Sequence, residues 1–374
     1  MERARVKPLR PRVSQRFDEG LFFVYLAILA FGLVMVYSTS SIMAEGRFGS
    51  HLHFIKNQAI WALGSLLVMF VIYKLDLRKL AVLSVPALFV TIGLLMLVFL
   101  MPSRNGSHRW LMLGPFTMQP SEIFKFVTII YLAFSLSNPK RDLTNFKQLI
   151  FPYAPLLGVG LLLILLEPNL GMTILITSTV FGMFFLAGLR TKHIFMAAAP
   201  LISIASIVVF VLGYKKARII DHIDAIIDPL TGSYQVKQSA LTLGSGGLLG
   251  TGLGEGRQKL FFLPYPHTDF IFSATGEEIG FVGLVILLGL FFFLLYRGFK
   301  IASSQPDKFG FLLAAGITWG LFINIAVNIG VVTAILPVTG LPLPFVSYGG
   351  SSLLVSSAAI AVLLNLSKRS VQTA

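Results

Sequence analysis

Ten long apolar segments, separated mostly by short polar connections, dominate this sequence of 374 residues. Most approach the ~20 residues that an α-helix needs to cross a bilayer. The chain is 55% hydrophobic and 12% charged, about half the ~25% charged residues of a soluble domain. We therefore predict an all-α polytopic membrane protein with about ten transmembrane helices. The segments run at roughly 20–40, 54–73, 80–101, 122–137, 150–166, 170–188, 193–213, 270–296, 309–335 and 350–367.

The distribution of Lys and Arg predicts the orientation. With the N-terminus inside the cell, 19 of the 30 basic residues fall in the arm, the inner loops and the tail, as the positive-inside rule requires. Both termini are then cytoplasmic. The predicted domains are a basic arm at 1–19, one membrane domain at 20–368 and a tail at 369–374. A large extracytoplasmic loop, 214–269, separates the seventh and eighth helices, and 102–121 and 336–349 lie on the same outer side.

Charge and cysteine content exclude several classes of protein. The net charge is +14, but the basic residues recur in clusters between apolar segments, so a nucleic-acid-binding face is not indicated. The chain has no cysteine, which excludes disulfides, thiol nucleophiles and thiolate metal sites. The basic start runs directly into a full-length apolar segment, so we expect a retained first helix.

The longest stretch that no membrane helix can contain runs from Tyr234 to Gly280. It has seven glycines between 244 and 256, then Asp269 at the start of an apolar run that also carries Glu277 and Glu278. Carboxylates in such positions are functional candidates. Asp269 is equally well placed to be the N-cap of a helix starting at Phe270. Spacing alone leaves both roles open.

Acids and cations also occur at the outer ends of other helices. Glu122 and Lys125 share one helical face, which suits either a local ion pair or a functional pair, and Ser121 is placed to cap that helix. Glu167 lies in the turn between the fifth and sixth helices, and the acids of 221–228 suggest a short amphipathic helix. Six outer cations suit phosphate oxygens: Arg109, Lys125, Arg218, Lys237, Arg257 and Lys259.

Two outer loops have unusual composition. The Gly-rich segment 244–256 offers backbone N–H groups that, with the cations, suit a diphosphate. The segment 336–349 is rich in Pro and Gly, which stiffen the backbone and permit close approach. We interpret it as a re-entrant wall of a site with Ser347 and Tyr348 directed inward, because irregular backbone at membrane depth must line a cavity or be buried. The segment 102–121 mixes apolar and basic residues and is expected to lie along the outer interface.

Several motifs resemble those of the SEDS family (RodA, FtsW and SpoVE), in family order and over most of the chain. They are GSHRW at 106–110, QPSE at 119–122, EPNLG at 167–171, YQ…QS at 234–239, GSGGLLGTGLG at 244–254, LPYPHTDFIF at 263–272, GEE at 276–278 and LPLPFVSYGGSS at 341–352.

This resemblance implies a ten-helix peptidoglycan glycosyltransferase that polymerises lipid II and works with a class B penicillin-binding protein. It implies that Asp269 is the essential aspartate, that Glu122 and Lys125 matter for activity, and that His267 and Glu277 support the site. The GRQKL and TGLPLPFVSYGGSS segments favour the division-type branch. Two positions depart from the family pattern: Asn169 stands where QPDLG has aspartate, and Tyr265 where a glutamate is common.

The residues and the resemblance together predict glycosyl transfer between two lipid-linked disaccharides at the outer face of the plasma membrane. Asp269 is the expected base, and no sequence motif supports a divalent metal. Two other classes stay open: a flippase for lipid-linked precursors, with Glu122, Lys125, Glu277 and Glu278 along its path, and a non-catalytic scaffold for the transpeptidase. The outer-half acids, apart from Glu45, cluster at one level, whereas a flippase needs polar groups along the whole path.

Overall fold

The structure is a computed structural model that describes residues 17–103, 107–114, 116–140, 153–206, 213, 220–224, 228, 231–258 and 262–368. The arm at 1–16 and the tail at 369–374 lie outside these residues. The described elements are α1 (Glu19–Phe48), α2 (His53–Lys74), α3 (Leu77–Val98), β1 (Leu111–Leu113), β2 (Phe116–Met118), α4 (Pro120–Leu136), α5 (Ala154–Leu166), α6 (Leu170–Leu186), α7 (Thr191–Ser206), α8 (Tyr234–Ser245), α9 (Ile271–Ser303), α10 (Lys308–Val332) and α11 (Gly350–Ser367).

The helices form a multi-pass membrane bundle. Six described helices are long and apolar enough to cross a bilayer, namely α1, α2, α3, α9, α10 and α11, and α5 and α6 are shorter apolar helices. Each of the ten predicted apolar segments overlaps one of the helices α1–α7 and α9–α11, while α8 belongs to the long connection between α7 and α9.

The bundle is organised around α10 and α11. In α11, 89% of the apolar window is buried within the protein, and in α10 67%, against 22% in α2 and α9. The last helix packs against α2, and α10 packs against α9, α6 and α4. The outward faces of α2 and α9 carry exposed large apolar side chains such as Leu63, Leu67, Phe281 and Phe292. Such faces suit lipid, because the hydrocarbon core offers them an apolar surrounding.

Contacts between helix ends distinguish the two ends of the bundle. At one end Asp18, the N-cap of α1, accepts hydrogen bonds from Arg297 near the end of α9, with Arg297 Nη2 at 2.6 Å. There Asn365 of α11 also donates to the carbonyl of Tyr73 at the end of α2. We call this the opposite end. The site end is the one that contains Asp269, β1, β2 and the segment 336–349.

Helix α9 is broken at Gly280, where φ is +69° and ψ is −174°. The break removes helical hydrogen bonds, and the Gly-rich segment replaces them. Thr251 N and Gly252 N donate to the carbonyls of Glu277 and Glu278, while Phe281 N and Val282 N donate to the carbonyls of Gly247 and Leu248. A Cβ on Gly280 would lie 2.2 Å from Gly250 N, so only glycine permits this approach.

The structure bears on three local predictions. The segment 102–121 contains an antiparallel hairpin, with Leu111 paired to Met118, and not simply an amphipathic segment. Gln119, and not Ser121, is the N-cap of α4. The acids at 221 and 224 do lie in a helical turn at 220–224, but most of the surrounding residues lie outside the described part of the chain.

Candidate functional site

Asp269 lies in the chain directly before α9. The N-cap of this helix is Phe270, and the first helical residue is Ile271. The N-cap role that spacing allowed for Asp269 is therefore wrong. Its side chain is partly exposed at the site end. The carboxylate of Asp269 thus lies at the site end without capping α9.

Three consecutive backbone carbonyls fix the segment that carries Asp269. Tyr348 N donates to the carbonyl of His267 at 2.8 Å. Ser347 Oγ donates to the carbonyl of Thr268 at 2.7 Å. Asn328 Nδ2 donates to the carbonyl of Asp269 at 3.0 Å. The Pro/Gly-rich segment 336–349 therefore lies against the His267–Asp269 backbone, and these bonds fix the direction in which the Cα–Cβ bond of Asp269 leaves the chain.

The turn at Gly340 faces the carboxylate. A Cβ on Gly340 would lie 3.5 Å from Asp269 Oδ2, and φ at Gly340 is +72°. On the same turn, Thr339 packs against the start of α6, since a Cβ on Gly171 would lie 2.6 Å from Thr339 Cβ. The turn at 339–341 thus lies between Asp269 and the turn that contains Glu167.

Arg109 lies at this second turn. Its Nε donates to the carbonyl of Glu167 at 3.1 Å, and its Nη2 donates to the carbonyl of Pro168. The Glu167 side chain is fully buried, and burial raises its pKa to about 8, although the charge of Arg109 opposes the rise. Arg109 is half-buried. It therefore supports the Glu167 turn from a half-buried position.

Glu122 and Lys125 form an ion pair in the first turns of α4. Lys125 Nζ lies 2.6 Å from Glu122 Oε2, and the two residues are 1% and 8% exposed. The local ion pair that the spacing allowed is present. A functional role for either residue stays a prediction, since two buried charges that compensate each other are equally consistent with a purely structural role.

His267 and Tyr348 belong to an aromatic cluster with Phe54 of α2. Ring centroids of His267 and Tyr348 lie 4.6 and 5.2 Å from that of Phe54. Burial lowers the pKa of His267 to about 4, with a smaller contribution from Arg47. Burial raises the pKa of Tyr348, and a hydrogen bond from Asn57 opposes the rise. Both rings are thus neutral near pH 7, and His267 lies two residues before Asp269 in the chain.

Glu277 and Glu278 hold the Gly-rich segment. Arg257 N and Gln258 N donate to Glu277 Oε1 at 2.8 and 3.1 Å. Gly254 N donates to Glu278 Oε2 at 3.0 Å. The diphosphate cradle predicted for 244–256 is therefore wrong for the amides of 251, 252 and 254, because these donate to Glu277 and Glu278. The same segment begins as part of α8.

Other predicted site residues take different positions. Lys237 is exposed on α8, and Lys259 lies outside the described residues. The hydroxyl of Ser347 is engaged by Leu343 N and the Thr268 carbonyl, so it holds the wall together. Within the described part of the chain, no three His, Cys, Asp or Glu side chains are grouped closely enough to hold a metal ion.

Sequence reasoning missed two buried amides at the site end. Gln58 Nε2 donates to the carbonyl of Ser347 at 3.1 Å, and Gln58 Oε1 accepts from Gly349 N. Asn328 donates to the carbonyls of Asp269 and Leu341. The available signal was a polar residue inside an otherwise apolar helix, since such a residue is costly to bury without partners.

Comparison with known proteins identifies the family. A profile of the FtsW, RodA and SpoVE family, described as Cell cycle protein, matches residues 19–372. The chain belongs to this family.

Among the curated family members, the "Probable peptidoglycan glycosyltransferase FtsW" of Geobacter sulfurreducens is 40% identical over 364 residues, covering 96% of this chain and 98% of the relative. The Bacillus subtilis "Stage V sporulation protein E" is 40% identical over 359 residues, covering 94% and 97%. The recurrence of FtsW among the relatives' names agrees with the division-type branch.

Solved structures of the family have the same fold. A peptidoglycan synthase complex, described as coordinating polymerization and crosslinking, contains a chain 31% identical with a TM-score of 0.77, covering 94% of this chain and 97% of that chain. The Rod shape determining protein RodA of Thermus thermophilus is 30% identical with a TM-score of 0.70, covering 95% and 98%.

The two departures from the SEDS family pattern have different structural settings. Asn169 is the N-cap of α6, and its Oδ1 accepts from Met172 N at 3.4 Å. Because Asn and Asp are comparable N-caps, this substitution preserves the capping role. Tyr265 is 49% exposed, and its backbone carbonyl accepts hydrogen bonds from Thr268 N and Phe270 N.

Proposed function

We propose that this membrane protein is a lipid II polymerase whose site end faces the outside of the plasma membrane. Glycosyltransferase activity is that of the family: curated relatives named for it align with 96% of this chain. The observation that carries the assignment of the site is the placement of Asp269. Its carboxylate is partly exposed beside Gly340, and three hydrogen bonds hold the carbonyls of His267, Thr268 and Asp269.

The proposed reaction joins two lipid-linked disaccharides. The 4-hydroxyl of the acceptor sugar attacks the anomeric carbon of the donor, its proton passes to Asp269, and the undecaprenyl diphosphate leaves with the electrons of the broken bond. A sugar hydroxyl is weakly acidic, so a positioned base speeds the step. Negative charge on the departing diphosphate favours cations at the same end of the bundle, and Arg109, Lys125, Lys237 and Lys259 are our candidates.

The structure also gives the polar groups a distribution that suits a polymerase better than a flippase. Glu122, Lys125, Glu277 and Glu278 are each within about three turns of the site-end start of α4 or α9, and each has a partner inside the protein. A translocation path needs polar groups through the depth of the bilayer. The partner we propose is a class B penicillin-binding protein, because the related synthase complex is described as coordinating polymerization with crosslinking.

The test uses purified protein in liposomes with its transpeptidase and fluorescent lipid II. We expect glycan chains from the wild type. Transfer of lipid across the bilayer without chains would instead support a flippase, and neither product would support a scaffold.

Asp269→Asn is the decisive variant. It keeps the size of the side chain and removes its ability to accept a proton, so we expect normal folding and partner binding with polymerisation lowered by ~10²–10⁴-fold. Partial recovery at raised divalent metal concentration would indicate that Asp269 ligates a metal. Near wild-type chain formation by this variant would contradict its role as base.

A further inference from the structure

Two of the buried side-chain amides at the site end bond to the segments around Asp269, namely Gln58 on α2 and Asn328 on α10. Each is 1% exposed. Burying an amide without partners costs about 1–3 kcal/mol by protein mutational data. The hydrogen-bond partners of Gln58 and Asn328 therefore indicate which part of the protein each amide stabilises. Both amides bond to backbone atoms of the segments that surround Asp269.

Asn328 connects the two chain segments on either side of the Asp269 carboxylate. Its Nδ2 donates to the carbonyl of Asp269 at 3.0 Å and to the carbonyl of Leu341 at 2.7 Å. Leu341 follows Gly340, the residue that faces Asp269 Oδ2. Since both partners are carbonyl oxygens, the nitrogen and oxygen of this amide are assigned without ambiguity.

Gln58 bonds to residues 347 and 349 of the Pro/Gly-rich segment from α2. Its Nε2 donates to the carbonyl of Ser347 at 3.1 Å, and its Oε1 accepts from Gly349 N at 3.3 Å. Between these two points, Ser347 Oγ and Tyr348 N bond to the carbonyls of Thr268 and His267. Displacement of 347–349 therefore shifts the residues that precede Asp269.

We propose that Asn328 and Gln58 are positioning residues that set the direction of the Asp269 carboxylate, one by direct contact with its backbone and the other through 347–349. The inference rests on the proposed function of Asp269. Neither amide needs to touch substrate. A base that is displaced by about 1 Å loses rate by as much as ~10²-fold, so loss of either amide lowers kcat more than it weakens substrate binding.

The chain contains a matched control in Asn365. This residue is also a buried amide that bonds to backbone carbonyls, those of Ile72, Tyr73 and Leu75. It lies fifteen residues beyond Gly350 on α11, or ~22 Å along the helix. Asn365→Ala removes the same kind of interaction at the opposite end.

The experiment compares Asn328→Ala, Gln58→Ala and Asn365→Ala in the purified complex with its transpeptidase. Thermal stability, kcat and KM for lipid II are measured for each. We expect kcat to fall ~10- to 100-fold in the two site-end variants with KM nearly unchanged, and Asn365→Ala to lose stability while keeping kcat. Wild-type kcat in both folded site-end variants overturns the proposal.

Folding and coupling complete the test. If one site-end variant does not fold, the other decides. Failure of both to fold while Asn365→Ala folds assigns them to folding and overturns the proposal. In an Asp269→Asn background, Asn328→Ala should not lower kcat further, because the carboxylate that Asn328 positions is gone. Additive losses of kcat in the double variant would contradict the proposal. An active Asp269→Asn enzyme would instead remove the proposed function itself, which is a separate outcome.

Discussion

At the scale of single residues, Glu167 differs from the other buried acids of the site end. Neither of its carboxylate oxygens has a hydrogen-bond partner among the described residues, and its side chain is 0% exposed. Glu122, Glu277 and Glu278 all have partners. Burial without a partner disfavours the charged form, which is why its pKa rises to about 8 from an ordinary value of 4.5.

This pKa predicts a pH-dependent stability. The folded protein holds the proton of Glu167 more tightly than the unfolded chain does. The contribution of this proton to the free energy of unfolding is therefore full below pH 4.5 and is lost as pH rises through about 8. Glu167→Gln cannot ionise. We expect its Tm to match the wild type near pH 5 and to exceed it near pH 8.5, measured as thermal unfolding in detergent. A constant difference across this range would contradict the prediction.

The Glu122–Lys125 pair yields a second prediction at this scale. Lys125→Ala leaves Glu122 buried without its partner, and breaking such a pair costs about 3–5 kcal/mol, so we expect little folded protein. The double variant Glu122→Gln, Lys125→Met removes both charges and should fold. If Lys125 binds the diphosphate, polymerisation by the double variant stays at least ~10-fold below wild type, since a charge-assisted hydrogen bond is worth about 1.5–3 kcal/mol. Recovery of activity would assign the pair to structure alone.

At the scale of elements, the break in α9 and the Gly-rich segment form one unit. Backbone groups of 247–252 complete the hydrogen bonding of 277–282, and the Glu277 and Glu278 carboxylates hold 254–258. Ser38 of α1 also donates to Glu278 at 2.6 Å. This unit ties α1 and α9 to the loop that precedes Asp269.

Because both carboxylates hold the same loop, we expect Glu277→Gln and Glu278→Gln to speed hydrogen exchange at the amides of 254–258 and to lower polymerisation by similar amounts. Glu255→Gln is the matched control, since this side chain lies in the same loop and is exposed. Unchanged exchange in both variants would show that the carboxylates do not anchor the loop.

At the scale of the whole molecule, the bundle has a site end and an opposite end, and the positive-inside rule predicts that the site end faces outside. Because the chain has no native cysteine, single introduced cysteines can test this orientation. We expect Leu253→Cys, exposed in the Gly-rich segment, to react with a membrane-impermeant maleimide added outside. Ser303→Cys, exposed at the end of α9, should react only after the membrane is opened. The reverse pattern would invert the proposed orientation.

The sequence by itself determined the membrane class, the positions of the apolar helices and the candidate aspartate. These follow from local properties: a run of apolar residues specifies a helix in lipid because its backbone must bond internally, and motif residues such as those of 263–272 are adjacent in the chain. Even the Glu122–Lys125 pair was predictable, because three residues separate its members on one helix.

Only the tertiary structure decided which polar groups serve Asp269 and which serve the fold. Gln58 and Asn328 are 211 and 59 residues away from Asp269 in sequence, and their hydrogen bonds exist only because α2, α10 and the segment 336–349 meet at one end of the bundle. The Gly-rich segment likewise completes backbone hydrogen bonds that the break in α9 leaves open. Spacing in a sequence carries no information about such partners, since they are brought together by packing.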